Sequence, residues 1–236
     1  MAEAEIESRR RAREVQSGAT RAAVLGVSDG LVTNVSLILG VAGASASSRF
    51  VLLAGMASLV AGACSMAVGE YVSMAAQVEL LQRLLAGFRK HMEAEPEHAR
   101  QDIEEFIRRG GVSPATAINA SKQISLVPDR ALAVYARSLG MDPEELGSPW
   151  KAAFTSLVTF ASGALVPLLP WFFIGGTRAA AISLALGAGA ALMVGGTLGW
   201  LGGRHVGWGA LRQLLVLAIA AAATWGAGKL FDVSVT

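Results

Sequence analysis

Two carboxylates stand inside otherwise apolar stretches, Asp29 within 22–44 and Glu70 within 51–74. An acidic side chain near the middle of a bilayer costs at least ~2.5–3.5 kcal/mol on insertion scales, so such groups face a cavity, a partner or an ion. Helical spacing gives each of them companions. Asp29, Thr33 and Ser36 fall on one face of a first helix. Ser58, Gly62, Met66 and Glu70, spaced by four, fall on one face of a second, which Ser73 and Gln77 continue. If the two faces meet, oxygens from Asp29 and Glu70 plus the Met66 thioether form a mixed ligand set. That set favours a softer transition metal such as Fe(II) over magnesium. Met66 also reads as a core gap filler, and Glu70 as a wetted residue near a helix end.

A second group of metal-capable side chains lies downstream. His91 and Glu95 are four apart, and His98, Asp102 and Glu105 fall at four and then three, giving two short helical faces. Charged helix surfaces produce such spacings by chance as well. No nucleophile-and-base pattern accompanies the hydroxyls and histidines, and His205, beside Arg204, reads as part of an interfacial turn, so the chain is not expected to be an enzyme.

The elements that must position these groups are visible in the composition. The 236 residues are 53% hydrophobic and 16% charged, with a mean hydropathy of +0.49, the profile of a membrane protein. Charge-poor runs at 22–44, 51–74, 152–176, 179–203 and 210–230 each approach the ~20 residues that cross hydrocarbon. The stretch 77–150 is polar, carries most of the acidic residues and shows no strand alternation. The expected fold is therefore an all-α integral membrane protein. It has an N-terminal arm (1–20), two transmembrane helices (21–76), a helical cytoplasmic domain (77–150) and three further transmembrane helices (151–236).

Basic residues set the orientation. Arg9, Arg10, Arg11, Arg13 and Arg21 precede the first span, others fill Arg83 to Lys151, and Arg204 and Arg212 flank the last turn. Arg49, Arg178 and Lys229 lie on the other side. The positive-inside rule then places the N-terminus and 77–150 in the cytoplasm and the C-terminus outside, in a plasma membrane of bacterial type. With this distribution the net charge of +2 marks topology and anionic-lipid contact rather than a nucleic-acid surface. Cys64, the single cysteine, lies within a span and forms no intramolecular disulfide. No cleavable signal peptide is expected, because the first apolar run follows a long charged start and contains Asp29.

Local signals fill in the rest. Ala4 to Gln16 reads as a short polar surface helix or a solvated arm. The second span continues without a breaker to Phe88, as a stalk for the cytoplasmic domain. Pro96 opens a helix stopped by Gly110 and Gly111, Ser113-Pro114 opens another, Asp129 to Leu139 gives a third, and Asp142 to Glu145 a last short turn. Pro167 and Pro170 predict a kink or early end in the third span. Small residues at Gly55, Ser58, Gly62, Ser65 and Gly69, and glycines at 187, 189, 195, 196 and 199, predict close helix contacts.

Three segments resemble the vacuolar iron transporter family: Gly26-Val-Ser-Asp29-Gly30-Leu, then Leu59-Val-Ala-Gly-Ala-Cys-Ser-Met66 with Gly69-Glu70-Tyr71, and Pro167-Leu-Leu-Pro170. The likeness runs from Arg21 to Leu230. It implies five transmembrane helices, a homodimer with a pathway at its interface, and exchange of cytosolic Fe2+ or Mn2+ for protons. Those ions are substrate, with no permanently bound cofactor. It also implies a glutamate-rich metal site in the cytoplasmic helices. Asp29 and Met66 match the family's pathway aspartate and methionine, whereas Ser58 stands where plant members have glutamate and Glu70 supplies a carboxylate three turns on. Phe88 and His91, then Ala99 and Asp102, stand where the family has paired glutamates, leaving His91 and Asp102, with Glu95, His98 and Glu105 nearby. A membrane-anchored metal sensor, and a carrier of another solute, are the rival expectations.

Overall fold

The computed structural model describes residues 18–44, 47–141 and 148–230. Every element among them is helical: α1 (Gly18–Gly43), α2 (Ser48–Ala94), α3 (Pro96–Arg109), α4 (Pro114–Ser125), α5 (Pro128–Ser138), α6 (Pro149–Leu168), a 3-10 turn (Leu169–Phe172), α7 (Gly176–Leu201) and α8 (Val206–Leu230). Helices α1, α2, α6, α7 and α8 are long and apolar enough to cross a membrane. The segments Ala4 to Gln16 and Asp142 to Glu145, for which a helix and a turn are expected, lie outside the described residues. The described residues through Tyr71, together with those from Pro149 onward, form one compact unit, and those of Val72–Ser148 form a second.

In the first unit α1 is the central helix, and glycine lets its neighbours approach. Gly26 and Gly30 meet the backbone of α6 around Ser156, Phe160 and Ala164, and Gly163 of α6 meets Val27 and Leu31 in return. Further along, Gly40 lies against Gly228 and Thr224 of α8. Contact of this kind suits membrane helices, whose association rests on van der Waals packing rather than on expelling water. Leu31, Val35, Ala191, Leu217 and Ala221 close one core around α1, and Ile38, Val51, Leu168, Trp171 and Ala179 a second. The α7–α8 hairpin is tight near its turn, where Gly195 and Gly199 oppose Gly209. Gly189, in the same glycine-rich run, faces open space.

The two prolines end α6 as expected. Pro167 closes its last turn and the chain tightens into the 3-10 turn that contains Pro170. Proline leaves carbonyls without their usual helical donors, and lipid supplies none. Ser183 of α7 fills the gap: its hydroxyl donates to the Pro167 carbonyl at 2.6 Å and accepts from the Trp171 indole N–H at 2.9 Å, all within buried surroundings.

The second unit packs Phe88 face to face on Tyr135, with ring centroids 3.9 Å apart, over Ala99, Ile103, Ala131 and Leu132. Its helix starts follow the sequence signals. Pro96, Pro114 and Pro128 each occupy a first turn, and the Ser113 hydroxyl caps α4 by accepting from Thr116 N–H at 3.3 Å. Gly111 takes φ +85° where the chain turns out of α3, a conformation that costs side-chain-bearing residues energy.

Candidate functional site

The α1 segment from Ser28 to Asn34 carries polar side chains on three sides. Asp29 is exposed on the outside of the helix and accepts from Thr33 Oγ1, one turn on, at 3.3 Å. Ser28 accepts from the buried Gln213 amide of α8 at 2.5 Å. Asn34, fully buried, donates to the Ala164 carbonyl of α6 at 2.6 Å. The last two bonds, with the glycine crossing between them, clamp the helix that presents Asp29. Neither Gln213 nor Asn34 stands out by spacing in the sequence. The overlooked signal is a side-chain amide inside an apolar span, where the cost of an unpaired polar group demands a partner.

Helix α2 runs unbroken for 47 residues. Within the first unit it touches the bundle along one side. Val51 and Ala63 are buried, and a side chain at Gly55 or Gly62 would run into Leu168 or the Phe160 ring. Met56, Val60, Cys64 and Val68 are exposed on the side away from it. Ser58, Gly62, Met66 and Glu70 share the half-buried border between these two sides. Met66 packs against Ala63, Phe160 and Ala164. Gly69 and its surroundings are open, and Tyr71 lies against Trp150 at the start of α6, ring centroids 4.7 Å apart.

Helix α6 serves as a ruler for depth. Along it, α1 runs in the same direction, with Gly26 beside Thr159 and Gly30 beside Phe160 and Ala164. Helix α2 runs oppositely, with Gly55 at Leu168, Gly62 at Phe160 and Tyr71 at Trp150. Asp29 therefore stands near the level of Ser58 to Gly62. At 1.5 Å per residue, Met66 is roughly 8 Å and Glu70 roughly 14 Å further along the bundle.

In the second unit α3 begins a new direction at Pro96, which brings His91 of α2 to Asp102 of α3, while His98 pairs locally with Glu95 three residues before it. His91 Nε2 lies 3.6 Å from Asp102 Oδ2, and His98 Nδ1 lies 2.7 Å from Glu95 Oε2. Glu105 is engaged by Arg108 at 2.9 Å and Arg109 at 3.3 Å. Among the described residues no three His, Cys, Asp or Glu side chains gather into a group that would hold a metal ion. Arg100 organises this surface instead. Largely buried, it reaches Glu97 at 2.6 Å, Glu104 at 2.7 Å and Ser121 at 2.8 Å. Its hydrogen bond holds the Glu97 carboxyl below the ordinary carboxylate value, and the two glutamates raise Arg100 further into its charged form.

Five apolar helices packed through glycine make this an integral membrane protein. Residues 20–229 match the model of the VIT family, and the chain belongs to that family. Vacuolar iron transporter 1 of Eucalyptus grandis is 32% identical over 211 residues, 87% of this chain and 84% of that protein. Vacuolar iron transporter homolog 1 of Oryza sativa subsp. japonica is 36% identical over 213 residues, 89% and 73% of the two chains. The vacuolar iron transporter of Acanthamoeba castellanii is 33% identical over 224 residues, 92% and 80%.

Proposed function

We propose that this chain moves Fe2+, and Mn2+ with it, across a membrane as a homodimer, in exchange for protons. The observation that carries the reading is Asp29: a carboxylate exposed on the outside of an apolar helix, beside a clamped backbone, with Thr33 as hydrogen-bond donor. Such a group is too costly against lipid and too firmly held to be incidental. A second copy of the chain, meeting the open side of α2 and the Asp29 side of α1, would cover both and leave a polar seam between them. The names of the relatives support iron as the substrate.

The register supports a path with successive stations. Asp29 with Ser58 forms one level, the Met66 thioether the next, and Glu70 lies toward the end marked by Trp150. A carboxylate holds either a cation or a proton, so metal arriving at Asp29 or Glu70 displaces protons and metal leaving lets them return. That competition couples the two flows. The polarity of basic residues supports an N-terminus and a Val72–Ser148 unit on the cytosolic side. His91 with Asp102, and Glu95 with His98, are pairs rather than clusters; they are proposed as transient contacts for metal arriving from the cytosol.

The test is Fe2+ uptake into proteoliposomes under a pH gradient, with Mn2+, Co2+ and Zn2+ as competitors. Asp29→Asn is expected to abolish uptake while gel filtration with light scattering still reports a dimer. Undiminished uptake by that variant removes Asp29 from the path. Uptake indifferent to collapse of the gradient removes the proton. A monomeric wild type removes the seam. Bound Fe2+ without any uptake turns the reading toward a sensor.

A further inference from the structure

The end of the first unit remote from the Trp150 level holds a groove unrelated to Asp29. Its volume is about 540 Å³, and it lies where the α7–α8 hairpin reaches its open end. Leu39 and Ala42 of α1 form its floor with Ala180 of α7, and the indoles of Trp171 and Trp225 wall it. Its rim is polar and cationic: Thr177 in the first turn of α7 and Lys229 in the last turn of α8. The Lys229 ammonium stands 5.8 Å from the Trp225 ring centroid. Among the described residues no carboxylate lies within ion-pair distance of Lys229, or of Arg178 and Arg49 at the same end.

The helix start adds to this charge. Gly175 caps α7 without a side-chain acceptor, and among the described residues only the Gly176 N–H of the first turn finds a side-chain partner, the Ser48 hydroxyl at 2.9 Å. The next amides of the first turn point their partial positive charge out of the helix beside Thr177. Ammonium, hydroxyl and helix start surround a mouth above an apolar floor. That combination is wrong for a metal cation, and a small free anion has no use for two indole walls. It matches a molecule with an anionic head and a hydrocarbon body, at the depth where tryptophan and lysine mark a bilayer interface.

We propose that this groove holds one anionic phospholipid per chain, its phosphate at Lys229 and the α7 start, and an acyl chain over Leu39, Ala42 and Ala180. The test uses the purified full chain in detergent. It is titrated with phosphatidylglycerol, phosphatidylcholine or inorganic phosphate, and adducts are counted by native mass spectrometry. Phosphatidylglycerol is expected to occupy one preferred site per chain and to resist competition by phosphate or phosphatidylcholine. Lys229→Gln is expected to weaken that site about fivefold, the effect of removing one interfacial lysine. Ala180→Phe, which fills the floor and leaves every charge in place, is expected to remove it. Ala42→Leu repeats the floor test should Ala180→Phe lose its monodisperse gel-filtration peak. Equal binding by wild type, Lys229→Gln and the floor variant overturns the proposal. So does displacement of the lipid by inorganic phosphate, which makes this a free-anion site, or equal retention of phosphatidylcholine, which removes charge recognition.

Discussion

Replacing Gly30 by alanine isolates the packing on which the Asp29 segment rests. The new methyl would fall on the Phe160 carbonyl, with the Phe160 carbonyl carbon at 2.9 Å and the Ala164 nitrogen at 3.0 Å. All three atoms are backbone, so no rotamer change relieves the clash. Ordinary carbon contacts of ~3.5–4.0 Å are restored only if α1 and α6 separate by roughly 1 Å. Overpacking costs about 1–3 kcal/mol, and a rigid backbone wall belongs at the upper end. Alanine returns about 1 kcal/mol of helix propensity, so a net loss of about 2 kcal/mol is expected. Separation also stretches the bond from Asn34 to the Ala164 carbonyl, now 2.6 Å. Reversible unfolding in mixed micelles, followed by tryptophan fluorescence, measures the loss. Gly189→Ala is the control, because a methyl there meets nothing within 4 Å. It should be neutral or slightly stabilising. Equal stability changes for the two variants would refute the argument.

Other consequences are open to measurement. Gly62→Ala would press on the Phe160 ring rather than on backbone; adding Phe160→Leu should recover much of the lost stability, and failure of that rescue would place the strain elsewhere. Ser183→Ala strands the Pro167 carbonyl and the Trp171 indole N–H. A loss of about 1–3 kcal/mol is expected in the same unfolding assay, the cost of leaving buried polar groups unmet. Because Arg100 holds the Glu97 carboxyl below its ordinary 4.5, the stabilisation from that pair is complete above pH 4.5 and is lost as pH falls through the lowered value. Protection factors of the α3 amides in the full protein, corrected for the intrinsic pH dependence of exchange, should fall on that acid side, and Glu97→Gln should flatten the dependence; identical profiles would exclude the pair.

The helical architecture could be read from residue types because each cue acts locally. Apolar length predicts α1, α2, α6, α7 and α8, the prolines at 96 and 114 mark the starts of α3 and α4, and α5 begins at Pro128, one residue before the expected Asp129. Asp29 and Thr33 come together as their four-residue spacing demands. What could not be read is whatever depends on one helix's depth against another. The pairing of His91 with Asp102 follows from the new direction at Pro96, not from spacing along a single face, whereas His98 and Glu95 are a local pair three residues apart. The offset between Asp29 and Glu70 likewise depends on α1 and α2 running in opposite directions along α6. The partners of Gln213 and Asn34 are 185 and 130 residues away in the chain, beyond the reach of any local pattern.

The glycine crossing has a mechanical side. Where two helices touch backbone to backbone, there are no interlocking side chains to swing into a second arrangement, so the joint between α1 and α6 behaves as a weld. Asp29 rides on that welded frame as if on a stator. In the transport cycle proposed above, the movement would then fall to what slides across its open flank. Helix α2, seated on the frame along one side only, is the natural moving part.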